Sequence, residues 1–374
     1  MISKDDLRRI LRHERGEKPV FSLFLDMSVN SDNKRTYTIF LSQQRSLFAG
    51  EGGARNGYLA EDLDAALTAV ERWIDHEFDE ANKSVAAFGE LGGGWLEVLQ
   101  FPAHLINGLS VGDHPKVGPL VHLLNRYHRY GVLLVDREHL RMLNVSMGRS
   151  LHEHQVETDP YPTPHDIKRG GYSAPDFQKR KAEEVKHFFR EFAKEVDQFD
   201  RRYAPDHFVI LGTDENVKHF TDYLAEALKS RIIHTGHAPI DASGAEVLER
   251  LEPLFREWDV RQEAAAVELL RDRVGQHHFA TSGFSETLQR LQEGKVETLV
   301  VARNVERTGA RCVQCGFYIE AVHAHCPYCG GQTRDGVELV ETMIRLAAEQ
   351  DARVEFTDAS ALRDLDGVGA LLRF

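Results

Sequence analysis

The 374-residue sequence lacks any uninterrupted apolar stretch close to the roughly 20 residues that a membrane-spanning helix requires. Residues 1–6 include acidic side chains where a secretory signal would carry a basic and then an apolar segment. We therefore expect a cytoplasmic protein with no membrane partner. The length favours two or three domains, because single domains most often hold about 100 to 150 residues.

Several common catalytic and cofactor motifs are also missing. The sequence has neither a P-loop nor the Gly-x-Gly-x-x-Gly pattern of dinucleotide-binding proteins, so we expect no directly bound nucleotide. It also lacks the nucleophile-elbow signature of a Ser–His–Asp hydrolase. The 19 histidines are scattered along the chain and do not by themselves predict a metal or acid–base site.

The sequence has fewer basic than acidic residues: 46 Lys and Arg and 59 Asp and Glu, which gives a net charge of −13. Such a chain does not bind nucleic acid through bulk charge, so any RNA contact must use a local basic cluster. One cluster lies between residues 168 and 186. Its candidate RNA-binding residues are Lys168, Arg169, Lys179, Arg180 and Lys181. The alternative is a solvated helix face of mixed charge, because three acids interrupt the cluster.

Apolar patterns predict three α/β blocks in tandem, which we assign to domains 1–118, 119–260 and 261–374. The first block has a strand at 20–26, a helix at 60–78 and a hairpin at 84–88 and 95–101. The second has a strand pair at 130–136 and 141–145, an irregular exposed loop at 153–171, a long helix with one apolar face and a strand at 207–212. In the third, helices and strands alternate, which favours an α/β/α sandwich.

Only four cysteines are present, and they lie in one short segment. They form two Cys-x-x-Cys pairs, Cys312 with Cys315 and Cys326 with Cys329, each followed by glycine. Four thiolates at this spacing surround a Zn²⁺ ion tetrahedrally, whereas disulfides are rare in a reducing cytoplasm. We therefore predict a structural zinc ribbon at 308–334, inserted between a strand and a helix, with the nearby His323 and His325 surplus to the four ligands. Redox-active thiol pairs are the alternative.

Two adjacent glycines occur in residues 165–174, His-Asp-Ile-Lys-Arg-Gly-Gly-Tyr-Ser-Ala, directly before the long amphipathic helix. This segment resembles the catalytic loop of the archaeal and eukaryotic class I peptide chain release factors, where Arg-Gly-Gly-Gln-Ser-Ala precedes an Arg-rich helix. Glycine lets bare backbone approach a substrate closely, so the candidate catalytic loop is Gly170, Gly171 and Tyr172. The alternative is a surface turn whose glycines have no function.

Further segments resemble the same family. Residues 293–299, Glu-Gly-Lys-Val-Glu-Thr-Leu, are similar to a Gly-x-Val-Glu-Thr-Leu strand entry in its third domain, and residues 366–374 are similar to its Gly-Ile-Gly-Gly-Ile-Leu-Arg-Tyr segment. Residues 43–47 show a weaker resemblance to the first domain of the family. The matching segments therefore lie in all three blocks, in the same order as in the family. The sequence is identified as a member of the bacterial branch of this family, which includes the ribosome hibernation factor Balon; Pelota is more distant.

Two departures from the family pattern bear on mechanism. Tyr172 stands where the family has glutamine: it keeps a backbone N–H that can stabilise an oxyanion, but its ring cannot donate as an amide does. The first domain lacks the stop-codon-reading Asn-Ile-Lys-Ser motif, and residues 31–35, Ser-Asp-Asn-Lys-Arg, are the nearest pattern. The sequence predicts that stop codons are not read, and it leaves peptidyl-tRNA hydrolysis open.

The resemblance implies a translation factor that occupies the ribosomal A site during ribosome rescue or hibernation. It implies contacts with ribosomal RNA and P-site tRNA, and a GTPase partner of the third domain, elongation factor Tu. One alternative keeps this docking and adds peptidyl-tRNA hydrolysis by the Gly170-Gly171-Tyr172 loop. The other is a zinc-ribbon adaptor that binds proteins or RNA away from ribosomes, which the net acidity favours.

Overall fold

The computed structural model describes residues 4–13, 18–29, 35–50, 60–146, 149–157, 174–320 and 325–373. The chain divides into two compact units: Met1–Arg126 with Arg261–Phe374, and Tyr127–Val260. Each of the three predicted blocks has its own β-sheet, which establishes a mixed α/β fold. The assignment of three separate domains remains a prediction. Among the described helices, none combines the length and apolarity needed to cross a membrane.

The N-terminal sheet is antiparallel, with the strand order β3-β2-β1-β4. Its strands are β1 (Val20–Asp26), β2 (Ser84–Glu90), β3 (Leu96–Phe101) and β4 (Gly108–Gly112). The helices are α1 (Lys4–Leu11), α2 (Tyr37–Gly50), α3 (Ala60–Glu77) and α4 (Gly118–Arg126). Leu63, Leu67 and Val70 of α3 join Leu23 and Leu25 of β1 in one core, so the predicted apolar stripe and hairpin are confirmed.

The middle sheet has the order β7-β6-β5-β8-β9, with β5, β8 and β9 parallel and β6 and β7 antiparallel. Its strands are β5 (Tyr130–Val135), β6 (His139–Ser146), β7 (Arg149–Glu157), β8 (His207–Gly212) and β9 (Ile232–Gly236). The helices are α5 (Ala174–Tyr203), α6 (Asp214–Thr221), α7 (Glu226–Lys229) and α8 (Gly244–Gly275). The predicted apolar face of α5 is confirmed, because Phe188, Phe192 and Val196 are buried against the sheet core.

The prediction of an irregular loop from residue 153 was wrong for residues 153–157. These residues complete β7, where Glu153 pairs with Leu143 and Glu157 pairs with His139 of β6. Because β7 is an edge strand whose side chains at 152–155 are exposed, its polar residues show no apolar period. Backbone pairing with β6, which the side-chain pattern does not reveal, holds the strand in place.

The C-terminal block contains two sheets. The larger one, in the order β10-β16-β11-β15, contains β10 (Ala280–Ser282), β11 (Val296–Ala302), β15 (Arg353–Thr357) and β16 (Val368–Leu372). The smaller one, between β11 and the last α-helix, contains β12 (Thr308–Cys312), β13 (Tyr318–Ile319) and β14 (Thr333–Glu338). The helices of the C-terminal block are α9 (Phe284–Gln292), α10 (Leu339–Glu349) and a 3-10 helix at Ala359–Leu365. The small sheet lies between a strand, β11, and a helix, α10, and β14 continues beyond residue 334. The zinc ribbon at 308–334 and the α/β/α sandwich remain predictions.

Helix α4 is fastened to the C-terminal block within the first compact unit. The backbone N–H groups of Val117 and Gly118 donate to the Glu341 carboxylate of α10 at 2.5 and 2.9 Å. This carboxylate satisfies donors that a helix N-terminus leaves without intrahelical acceptors. Further along α4, the His122 ring meets the Phe356 ring edge-on, with centroids 4.8 Å apart. The chain leading into the middle block is therefore held by the C-terminal block.

Candidate functional site

The four cysteines lie at the end of the small sheet, where two tight turns bring them together. Cys312 is the last residue of β12, and its carbonyl accepts a hydrogen bond from the Gly316 amide at 3.0 Å. The Cys326 carbonyl accepts the equivalent bond from the Gly330 amide at 2.9 Å. Gly316 and Gly330 have φ angles of 76° and 75°, a left-handed conformation that favours glycine. The glycine after each Cys-x-x-Cys pair is therefore a requirement of the turn.

The four sulfur atoms all lie within 4.8 Å of one another. The Sγ atoms of Cys312 and Cys329 are 3.5 Å apart, and those of Cys315 and Cys326 are 3.7 Å apart. A disulfide would hold two sulfurs at about 2.05 Å, whereas a tetrahedral ion about 2.3 Å from each sulfur separates them by about 3.8 Å. The predicted cluster is confirmed as a group that could hold a metal ion, and it is the one such group among the described residues.

The thiols of this cluster differ in acidity. The pKa of Cys312 falls to about 6, chiefly because the Cys315 amide donates a hydrogen bond to its sulfur. The pKa of Cys315 rises to about 12 despite a hydrogen bond from the Phe317 amide, because burial and the neighbouring sulfurs disfavour further negative charge. A divalent cation among the sulfurs would offset this repulsion, which is the chemistry that four thiolates of a metal site require.

Gly331 is a feature of the cluster that the sequence pattern did not single out. A Cβ atom at this position would lie 2.7 Å from the Gln314 side chain and 3.3 Å from the Cys312 sulfur. The Gly331 carbonyl accepts from the Cys326 amide at 2.7 Å, and the Gln332 carbonyl accepts from the Val313 amide at 2.9 Å. Close backbone approach at Gly331 thus joins the two turns. The Gly-Gly pair at 330 and 331 was the available signal.

The ribbon is anchored to the rest of its unit through Tyr318. The side-chain Nε2 of Gln292 donates to the backbone carbonyl of Tyr318 at 3.0 Å. The backbone N–H of Tyr318 donates to the side-chain Oε1 of Gln292 at 2.7 Å. The guanidinium of the buried Arg345 donates to the Tyr318 hydroxyl at 3.1 Å. These contacts connect the ribbon to α9 and α10, so its folding is coupled to theirs.

The candidate loop and part of the candidate RNA-binding cluster fall elsewhere in the chain. Gly170, Gly171, Tyr172, Lys168 and Arg169 lie outside the described residues. Lys179, Arg180 and Lys181 lie on α5, whose described part begins at Ala174, directly after the candidate loop. The structure therefore places these three residues on a helix that packs on the middle sheet, and the proposed roles of both groups remain predictions.

The middle of the chain matches a known family. Residues 115–256 match the family described as bacterial archaeo-eukaryotic release factor family 10. The chain is also similar to peptide chain release factor subunit 1 of Pyrococcus abyssi, with 29% identity over 180 residues, covering 41% of this chain and 43% of that protein. The same subunit of Methanocaldococcus jannaschii is 25% identical over 184 residues with the same coverage. The chain thus matches less than half the length of these curated relatives.

Two solved structures resemble the chain at low similarity. Archaeal translation termination factor aRF1 covers all of this chain at 15% identity and a TM-score of 0.26. A model of ribosome-bound archaeal Pelota and ABCE1 covers all of it at 14% identity and a TM-score of 0.41.

The match spans all five strands of the middle sheet and the amphipathic helix α5, so this block is similar to the release-factor family. The relationship predicted from the motifs is confirmed, because residues 115–256 match bacterial archaeo-eukaryotic release factor family 10.

Proposed function

We propose that this chain is a cytoplasmic translation factor that occupies the ribosomal A site without reading stop codons, in ribosome rescue or hibernation. The family match over residues 115–256 supports the proposal most directly, because that segment contains both the candidate loop and α5. The curated relatives carry the name peptide chain release factor, a ribosomal function. The lack of an Asn-Ile-Lys-Ser motif supports a role that does not depend on the codon.

In this proposal the middle domain directs Gly170, Gly171 and Tyr172 toward the tRNA end, with ribosomal RNA and P-site tRNA as contacts. Lys168, Arg169 and the α5 cluster at 179–181 would bind phosphates, because several adjacent cations give strong but sequence-independent attraction to RNA. The C-terminal domain would bind a translational GTPase such as elongation factor Tu.

We further propose that the four-cysteine cluster holds one structural Zn²⁺ ion. The ligands would be Cys312, Cys315, Cys326 and Cys329, and their sulfur separations fit tetrahedral coordination. With four thiolates as ligands, no coordination position is left for water, so the ion would contribute folding free energy and no hydrolytic chemistry. Its stabilising effect would pass to α9 and α10 through Tyr318.

Peptidyl-tRNA hydrolysis is the second candidate function, and the paired glycines are the observation that favours it. Bare backbone at Gly170 and Gly171 would let the Tyr172 N–H approach the ester carbonyl and stabilise the oxyanion that water attack produces. Water would add to the carbonyl carbon, the bond to the tRNA ribose oxygen would break, and that oxygen would take up a proton. Tyr172 lacks the carboxamide of glutamine, so positioning of the water would have to rely on backbone groups or the phenol.

Co-sedimentation with purified bacterial ribosomes tests the proposal. We expect the chain to pellet with ribosomes that carry P-site tRNA and an empty A site, and to be displaced when the A site is filled with tRNA. Binding that is indifferent to A-site tRNA would overturn the A-site assignment. A complete absence from the ribosomal pellet would favour the adaptor function away from ribosomes.

A further inference from the structure

The described side chains of α5 separate into an apolar face and a basic face. Between residues 185 and 203 the seven most exposed residues include no acid, and the acids there are partly buried, although 42% of the Glu191 side chain is exposed. The seven residues are Lys186, His187, Arg190, Lys194, Gln198, Arg201 and Arg202. The side chains at the opposite angle, including Phe188, Phe192 and Phe199, are buried. These exposed cations contrast with the net charge of −13 of the whole chain.

Four of the cations form one stripe, which we call the α5 basic face: Lys186, Arg190, Lys194 and Arg201. Their spacings of four, four and seven residues place them within about 80° of one another on a helix of 3.6 residues per turn. With a rise of about 1.5 Å per residue, the stripe is roughly 22 Å long. It therefore presents regularly spaced positive charge along a nearly straight line.

Acidic side chains reduce the charge of this stripe only in part. Asp197 lies at the same helical angle and is half-buried, so the face carries four positive charges and one negative charge. Glu191 lies at its edge and forms an ion pair with Lys194 at 2.8 Å, yet the Lys194 side chain remains 66% exposed. An exposed pair of this kind stabilises a helix only weakly and can exchange its partner for a phosphate.

A line of exposed cations is complementary to a polymer with a line of regularly spaced anions. We propose that the α5 basic face binds the phosphate backbone of RNA and forms a contact distinct from Lys168–Lys181 and from the Gly170-Gly171 loop. The proposal deepens the proposed function, on which it rests for the identity of the RNA.

The test compares two triple variants of the full chain. R190Q/K194Q/R201Q removes three cations of the α5 basic face. R137Q/K218Q/R256Q removes three exposed cations elsewhere in the Tyr127–Val260 unit, where Arg137 and Arg256 also form ion pairs. Each variant changes the net charge from −13 to −16, that is −13 minus 3, so bulk charge is matched. Binding of a short fluorescent RNA duplex is measured by anisotropy over a series of salt concentrations.

We expect R190Q/K194Q/R201Q to bind more weakly, with a plot of log Kd against log salt whose slope is smaller in magnitude by about 2 to 3. The matched control should keep the wild-type slope. Asp197→Asn should strengthen binding, because it removes the acid within the stripe. Equal slopes for the two triple variants would overturn the proposal. Polyglutamate is measured as a second ligand. If the wild-type chain does not bind the duplex but binds polyglutamate, and R190Q/K194Q/R201Q loses that binding, the face binds an acidic protein and the proposal is overturned.

Ribosome binding is measured separately, so that the two proposals can fail separately. If the wild-type chain binds the duplex through the α5 basic face but does not bind ribosomes, the phosphate-binding face is supported and the proposed function is contradicted. If the wild type and both triple variants pellet equally well with ribosomes, the proposed function is supported and the phosphate-binding face is contradicted. Melting curves of all the variants exclude unfolding as the cause.

Discussion

The Arg345 guanidinium donates a hydrogen bond to the hydroxyl of Tyr318 at 3.1 Å, joining α10 to the ribbon across 27 residues of sequence. Both residues are largely buried, at 7% and 8% exposure. A buried guanidinium needs acceptors, because a charged donor without a partner is far more costly than a neutral one. The same arginine pairs with Glu349 one turn along the helix. The ribbon is therefore packed into its unit, and a substitution in the ribbon or in α10 should change the stability of both.

Removal of the Tyr318 hydroxyl should destabilise this unit. We expect Tyr318→Phe to lower the free energy of unfolding by about 1–3 kcal/mol, since Arg345 loses a buried acceptor. Tyr328→Phe is the matched control: its side chain is 54% exposed on the same ribbon, so a change within about 0.5 kcal/mol is expected. Urea titration of both variants gives the comparison. Equal effects would show that the Arg345 contact contributes nothing specific.

The metal prediction concerns both content and stability. Metal analysis of the purified chain should find one zinc ion per chain, and Cys315→Ser should reduce this content sharply. His325→Ala should keep it, because His325 is exposed and four thiolates complete the coordination sphere. Chelation should lower the melting temperature of the wild type. A melting curve that chelation leaves unchanged would rule out a structural ion.

The stability of the first compact unit should depend on pH through His122. Burial, together with Arg303 and Arg126, lowers the pKa of His122 below its ordinary value of 6.5. The unfolded chain therefore binds a proton more readily, so this contribution is complete above pH 6.5 and is lost as the pH falls through the lowered pKa. In His122→Gln we expect a flatter decline of unfolding free energy between neutral and mildly acidic pH. His76→Gln, an exposed site on α3, should decline as the wild type does.

The residue at position 172 should control peptide release. If the loop approaches the peptidyl-tRNA ester, Tyr172→Gln restores the side chain of the resembling family and should increase release from ribosomes that carry labelled peptidyl-tRNA. Gly171→Ala added to that variant should abolish the gain, because a Cβ obstructs close backbone approach. Release is followed by the rate at which labelled peptide separates from tRNA. A gain that survives Gly171→Ala would argue against this loop as the active element.

Much of the architecture follows from local patterns that the sequence displays openly. The α5 stripe of Phe188, Phe192 and Val196 has helical spacing, and it is buried as predicted. The parallel strands β5 and β8 are continuous apolar runs, which is the pattern of strands buried on both faces. The end of β7 was missed for the opposite reason. Its residues 153–155 are polar and exposed, so only pairing with β6 marks this segment as a strand.

The sequence by itself determined the cysteine cluster, because ligand type and spacing within two short turns set the metal geometry without help from distant residues. It also determined the family relationship, since motifs are local strings. Only the tertiary structure decided that Glu341 caps α4, that Arg345 meets Tyr318 and that Lys186, Arg190, Lys194 and Arg201 are exposed together on α5. Contacts between distant residues and the exposure of each side chain depend on how the elements pack, and local sequence patterns do not predict that packing.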